Sequence, residues 1–330
     1  MRPYLIRRIL YLIPTLLGIT LVTFLLLKMI PGGPEDALFS VDTPIVRDAG
    51  ELARFRAEHR LDQPVLVQYL HWLGRVARLD FGRSFRDHRE VRTLIRERLP
   101  HTLLLNVAAL GLMFTLSLPL GLLSAVRRGS WYDRLSGVLL YFLYCLPNFA
   151  VALVLQLLLA MHWNLLPLQG LESLDADRLG GIGFLWDRFL HLLLPTICLT
   201  YGGLAYLARF SRAGLLESIR QEYITVARAK GLSETMVLLK HALRNSMIPL
   251  LTLFGMLVPA LISGSVIIER IFSWPGIGRL FFTAIEGRDY PLIMGLSTLS
   301  ALLSLGGLLA ADLLYAWADP RVAYRRRGSS

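Results

Sequence analysis

The chain has 330 residues, of which 54% are hydrophobic and only 18% charged, and its mean hydropathy is +0.52. Soluble domains carry about 25% charged residues. Here the apolar residues gather in long, nearly charge-free blocks, which excludes a disordered chain, a disulfide scaffold and an ordinary soluble enzyme. Net charge is +11, from 35 basic and 24 acidic residues. A basic balance suits nucleic acid or an anionic membrane face. No folded basic domain remains once the apolar blocks are removed, so the lipid bilayer is the partner and nucleic acid is not. Cys145 and Cys198 both lie inside apolar blocks and read as small packing residues, not as a disulfide or a zinc site.

A bilayer core of about 30 Å takes about 20 apolar residues in helix. Six blocks meet this length: 9–30, 103–126, 135–161, 190–207, 248–268 and 292–316. The expectation is an all-α integral membrane protein with six transmembrane helices. Arg2, Arg7 and Arg8 before the first block imitate a signal peptide, but the apolar stretch is too long for one and no small-x-small cleavage site follows. Residues 1–30 therefore read as an uncleaved first span. Residues 31–100 form a small extracytoplasmic helical insertion, with amphipathic helices at 47–60 and 64–78, where Val65, Tyr69, Trp72 and Val76 recur at helical spacing. Residues 101–318 hold the other five spans, and 319–330 are a basic tail. Lys28 stands at the outer end of the first span, where a lysine can snorkel.

Arginine placement sets the orientation. Arg127, Arg128 and Arg134 follow the second block, seven basic residues from Arg209 to Arg244 follow the fourth, and Arg321, Arg325, Arg326 and Arg327 end the chain. These segments fall on the side of the N-terminus, so both termini are expected in the cytoplasm. Prolines 119, 147, 195 and 259 interrupt the blocks and predict kinks.

One loop, within 211–247, carries a distinct pattern. Residues 222–249 read as two short helices with a break at Gly231, whose backbone freedom suits a helix end. Ser233 is placed to cap the second helix, 234–244, with Lys240 and Arg244 in its last turn. Met236, Leu239 and Leu243 share one side, and Ala227, Ala229 and Gly231 make a small-residue surface. Two readings stand: a short helix entering a groove on a cytoplasmic partner, or an interfacial helix lying on lipid.

These residues resemble the EAA loop of ABC importer permeases, in the dipeptide/oligopeptide/nickel branch. The likeness rests on Glu222-Tyr223, the run Ala227 to Ser233, Val237, His241, Leu243-Arg-Asn245 and Pro249. The Glu-Ala-Ala positions of the wider superfamily fall here on Thr225, Val226 and Ala227, so the match is to the branch. Further segments are similar to the family: Tyr4 to Leu10, Leu61 to Val65, Asp80-Phe-Gly-Arg-Ser84, Arg128 to Asp133, Phe272 to Gly278, Arg288-Asp-Tyr-Pro291 and Asp312 to Tyr315. Pro31-Gly-Gly-Pro34 departs from the usual Pro-Gly-Asp-Pro, with Gly33 in place of the acid.

The resemblance implies a type I ABC importer permease, the inner-membrane subunit of a system importing di- or oligopeptides, with nickel or another small solute as the alternative within the family. It implies a second, related permease, two ABC ATPases that bind the ATP and magnesium, and an extracytoplasmic substrate-binding protein. The coupling residues would be Glu222, Tyr223, Ala227, Arg228, Ala229, Lys230, Gly231, Leu232, Ser233, Met236, Leu239 and His241. The chain itself is expected to hold no cofactor and no catalytic residue, because the dipeptide Gly-Lys of a P-loop never occurs. The seven histidines show no metal-ligand spacing, so no metal site is expected. A secondary transporter, the rival of a different class, would show internal repeats or midplane charges.

Polar groups within apolar blocks are costly and often functional. Asn148 and, in the fifth block, Ser263, Gly264 and Ser265 are candidates for a translocation path or for helix packing. Glu269, Trp274, Pro275 and Gly276 are candidates for an extracytoplasmic gate or a binding-protein contact. For Glu269, surface pairing with Arg270 is the competing reading. For Trp274 it is a place in the interfacial aromatic belt. Asn106, Gln156 and Asp312 complete the set.

Overall fold

Backbone groups in hydrocarbon must be satisfied within the segment, so apolar runs of this length can only be helical or close into a barrel. The computed structural model describes residues 2–34, 49–257 and 265–318. In chain order it contains α1 (Arg2–Met29), α2 (Ala49–Glu58), α3 (Val65–Val76), α4 (Val91–Val126), α5 (Trp131–Cys145) and α6 (Asn148–Leu155), the last continued by π-helical Gln156–His162. A 3₁₀ turn at Ala176–Arg178 precedes α7 (Gly181–Ile219) and α8 (Glu222–Ala229). Next, α9 (Glu234–Met236) runs through π-helical Val237–Ala242 into α10 (Leu243–Leu257). The chain ends with α11 (Val266–Ile271), α12 (Ile277–Glu286) and α13 (Tyr290–Ala318). Among the described residues the only β feature is an isolated antiparallel bridge between Arg83 and Glu90.

Four helical stretches are long and apolar enough to cross a bilayer: Leu10–Met29, Val91–Val126, Gly181–Ile219 and Tyr290–Leu309. The predicted third span is not straight. It is the pair Trp131–Cys145 and Asn148–His162, bent by 97°, and it makes a fifth crossing only if the pair is one span. Pro147 lacks an amide proton and forces the residue before it out of the helical region, and Leu146 is accordingly extended (φ −77°, ψ 128°). The freed carbonyl of Leu146 accepts from the Tyr201 hydroxyl at 2.8 Å. Pro119 and Pro195, by contrast, lie inside unbroken helices, and Pro259 lies outside the described residues. So does the part of the fifth block beyond α10, as far as residue 264.

Helices α4 and α7 are longer than predicted, with 36 and 39 residues, or about 54 and 58 Å at 1.5 Å per residue. Both exceed a bilayer core of about 30 Å. Val91, Leu94 and Ile95 are buried at helical spacing, which extends α4 well before residue 103. Among the described elements the two helices share the most extensive interface. At Gly121 a Cβ would come within 2.6 Å of Ser211 Cβ and 2.7 Å of the Ala208 carbonyl, so only glycine permits this approach.

The core divides among several clusters, two of which mark opposite ends of the molecule. Phe24 and Leu27 of α1, Val91 and Leu94 of α4, Ile277 and Ala284 of α12, and Tyr290 and Met294 of α13 form one cluster. At the opposite, arginine-rich end, Ala125 of α4 and Leu215 of α7 pack with Ile224, Ala227, Val237 and Ala242. Helices α2 and α3 fall where periodicity placed them. Tyr69 of α3 is buried against α1, sharing a 3.0 Å hydrogen bond with Thr20, while Val65 is exposed.

Candidate functional site

The loop at the arginine-rich end is built from short pieces with opposite faces. Ile224 and Ala227 stand three residues apart on α8 and are buried against Leu215, Val237 and Ala242. The Ser218 side chain ties the pieces together, donating to the Ala242 carbonyl at 2.9 Å and sharing a hydrogen bond with the Tyr223 hydroxyl. The other face is uncovered: Tyr223, Val226, Met236 and Leu239 are all exposed, Val226 and Leu239 by about half (52% and 51%). Glu222 stands in the first turn of α8, where an acid complements the helix dipole. Ala229, Lys230 and Ser233 are exposed, and Leu232 and His241 are half-buried.

The break falls where glycine predicts it. Gly231 has φ +77°, and its amide donates to the Arg228 carbonyl at 2.9 Å. No atom stands within 4 Å of where a Cβ would be, so the requirement for glycine is conformational and not steric. Three details differ from expectation. Ser233 occupies the cap position, but its side chain makes no capping hydrogen bond. The second helix does not end near residue 244 but continues unbroken to Leu257, so Lys240 and Arg244 sit at no helix end. Ala227 points into the core while Ala229 and Gly231 face solvent, so these small residues do not share one surface.

Across the break, Arg228 grips Glu234 with two hydrogen bonds, Nη2 to Oε1 at 2.6 Å and Nε to Oε2 at 3.1 Å. The guanidinium holds the Glu234 carboxyl below its ordinary value. Sequence reading named Arg228 without its partner. The six-residue spacing belongs to no regular helix, so nothing local announced the pair.

The second set of residues lies at the other end, and its burial speaks against both competing readings. Glu269 is fully buried and pairs with no cation among the described residues, while its neighbour Arg270 turns to Glu286 at 3.8 Å. The Glu269 carboxylate instead accepts from the Thr102 hydroxyl at 3.0 Å and the Arg279 amide at 2.9 Å. Thr102 in turn accepts from the Ile277 amide at 2.7 Å. These are first-turn amides of α12, so side chains from α11 and α4 satisfy the donors that a helix start leaves open. Gly276 supplies the space: a Cβ there would stand 2.4 Å from Glu269 Oε2 and 2.5 Å from Thr102 Oγ1. Trp274 is no interfacial belt residue. It is wholly buried and donates from Nε1 to the His101 carbonyl at 3.0 Å. Pro275 is half-buried and Gly276 buried.

Of the path candidates, two are described. Asn148 is exposed at the first turn of α6, and Ser265 is half-buried before α11, its carbonyl accepting from the Glu269 amide at 2.9 Å. Ser263 and Gly264 lie outside the described residues. Gln156 is buried and donates to the Leu168 and Ile271 carbonyls at 2.9 and 3.2 Å. Two motifs prized apart in sequence do meet: buried Asp289 accepts from the Ser84 hydroxyl and, at 3.2 Å, from the Leu292 amide, capping α13. No three His, Cys, Asp or Glu side chains are gathered to hold a metal ion among the described residues.

Long apolar helices, a helix pair bent by 97° at Pro147 and a small-helix loop at one end define a multi-pass membrane protein. Comparison with known proteins makes this specific. Residues 117–324 match the family described as "Binding-protein-dependent transport system inner membrane component", and residues 1–106 match that described as "Binding-prot-dependent transport system membrane comp, N-term". The chain belongs to this family of transport-system membrane components. It is 40% identical over 325 residues to the "Oligopeptide transport system permease protein AppB" of Bacillus subtilis (strain 168), covering 98% of this chain and 100% of that protein. It is 35% identical over 349 residues to the "Dipeptide transport system permease protein DppB" of Escherichia coli (strain K12), covering 99% and 100%. Identity to the "Glutathione transport system permease protein GsiC" of Escherichia coli O1:K1 / APEC is 34% over 322 residues, covering 98% and 99%.

Proposed function

We propose that this chain is the transmembrane permease subunit of an ATP-driven ABC importer that moves di- or oligopeptides delivered by a substrate-binding protein. It works beside a second, related permease and above two ATPase subunits, which carry the ATP and magnesium. The six apolar blocks are six spans, both termini are cytoplasmic, and 31–100 lies outside. The near full-length likeness to peptide permeases supports the cargo class over nickel.

The observation that carries the reading is the two-faced loop. Its inner face is anchored to α4 and α7 by Ile224, Ala227 and Val237, while Tyr223, Val226, Met236 and Leu239 are left for something to cover. An exposed apolar face on a short helical element fits a groove on a partner. Because α9 runs into α10 without a break, displacement of that face by closing ATPases passes to a span as a rigid-body movement. Alternating access then needs an equilibrium between two arrangements that ATP shifts. Glu269, Trp274 and Gly276 contribute by holding the outer helices in place and not as exposed contacts.

The test is a double substitution, Val226→Asp with Leu239→Glu, in the native membrane. The chain should insert at its normal level, fail to retain its ATPases on purification, and lose uptake of a labelled dipeptide. Normal uptake with ATPases attached would remove the coupling role from this loop.

A further inference from the structure

A cleft of about 670 Å³ opens between α5 and α7 at the arginine-rich end. Three guanidinium groups line it, those of Arg134, Arg209 and Arg212, against the single carboxylate of Asp133. That carboxylate is already engaged, accepting from Arg212 Nε and Nη2 at 2.7 Å each and from the Gly129 amide at 3.0 Å. Arg134 and Arg209 are exposed and have no acidic partner among the described residues. The hydroxyls of Ser124 and Ser136, 3.0 Å apart, add neutral hydrogen-bonding groups to the wall.

This basic cleft is continuous with an apolar one. Arg209 and Tyr141 also border a groove of about 450 Å³ lined by Tyr144, Tyr206 and Phe210. The Tyr206 and Phe210 rings stack with centroids 6.2 Å apart. Trp131, one turn before Arg134, is 74% exposed, as interface-level tryptophans are. A positive head joined to an aromatic trough, at the depth where a helix leaves the bilayer, is the shape of a phospholipid. Guanidinium forks match phosphate oxygens in pairs, and unpaired arginines beside hydrocarbon are costly without an anion.

We infer that the α5–α7 cleft holds the phosphate of an anionic phospholipid from the arginine-side leaflet, with an acyl chain lying along Tyr141, Tyr144 and Tyr206. Basic pockets between helices recognise such headgroups through the same chemistry. The site does not rest on the identity of the cargo.

The experiment uses the full chain, with whatever subunits it retains, in phosphatidylcholine nanodiscs. Short-chain phosphatidylglycerol is titrated while unfolding temperature is read, with short-chain phosphatidylcholine and inorganic phosphate as comparators. Phosphatidylglycerol should raise the unfolding temperature saturably and the other two should not. Arg134→Gln with Arg209→Gln should weaken that response roughly thirtyfold, and the corresponding lysine pair should keep most of it, which separates charge from folding. Arg220→Gln, an exposed charge outside the cleft, should change nothing. Equal responses to both lipids would overturn the proposal, as would loss in Arg220→Gln as large as in the pair. A response to inorganic phosphate alone would make this a free-phosphate site. Efficient crosslinking of a Tyr206→Cys variant to a protein neighbour would show that a subunit, and not lipid, fills the groove.

Discussion

The two ends of the molecule solve the same problem, how to hold a short helix, by opposite means. At the arginine-rich end, α8 is packed on the core by Ile224 and Ala227, while its join to α9 is spanned by an exposed ion pair and turns at a glycine with free space around it. At the other end, α12 is held by a buried carboxylate and a buried hydroxyl in a site where one added methyl group would collide. Solvent competes for the ion pair across the join and not for the buried carboxylate and hydroxyl. On the proposed function the exposed join is the element that shifts under a partner's push, and a weak, solvent-screened tie suits that. An element that must keep its position is served by saturated buried ones.

The sharpest break in this contrast would come from Gly276→Ala. The new Cβ would displace Glu269 or Thr102, leaving a buried carboxylate and first-turn amides of α12 short of partners. Overpacking and the lost hydrogen bonds together should cost on the order of 3 kcal/mol. The check is thermal unfolding in detergent, where a clear fall and reduced membrane yield are expected. Wild-type stability would mean that the acid is not held as described, and the buried end would then be no firmer than the exposed one.

How far each end was legible in the sequence follows from the range of its contacts. The apolar blocks, the helices at 49–58 and 65–76 and the break at Gly231 are local, written in periodicity and backbone preference. The burial of Glu269 was not legible, because its neighbour in sequence is Arg270 while its partner Thr102 lies 167 positions away. Ser84 and Asp289 are 205 positions apart, and only the fold brings their two motifs together. Prolines 119, 147 and 195 look alike in sequence. Pro119 and Pro195 lie within unbroken α4 and α7, which pack along each other, whereas Pro147 stands between two shorter pieces, where the Tyr201 hydroxyl donates to the freed Leu146 carbonyl. Helix lengths were underestimated because α4 and α7 leave the apolar blocks yet stay buried against other parts of the chain.

A smaller effect is expected at Gly231. With φ +77° and no neighbour within 4 Å, alanine there meets conformational cost alone, about 1–2 kcal/mol. Asparagine tolerates this region better, so Gly231→Asn should recover part of the loss in unfolding temperature that Gly231→Ala shows. If both variants behaved as wild type, the loop would not depend on this conformation. If alanine matched Gly276→Ala in severity, the exposed end would be as unforgiving as the buried one.

The smallest effect belongs to the ion pair, and its pH dependence identifies it. Arg228 lowers the carboxyl of Glu234 through their hydrogen bonds. A lowered folded-state value means that the pair contributes stability above the ordinary glutamate range and loses it as pH falls through the lowered value. Both side chains remain substantially exposed (44% and 57%), so solvent and salt screen the pair. Glu234→Gln should therefore unfold slightly below wild type at neutral pH and low salt. The gap should close in concentrated salt, and it should close again in acid, where the wild-type carboxyl is protonated and resembles the amide. A gap that persists under both conditions would show that Glu234 acts by packing and not by charge, and the loop would then be fastened much as the buried end is.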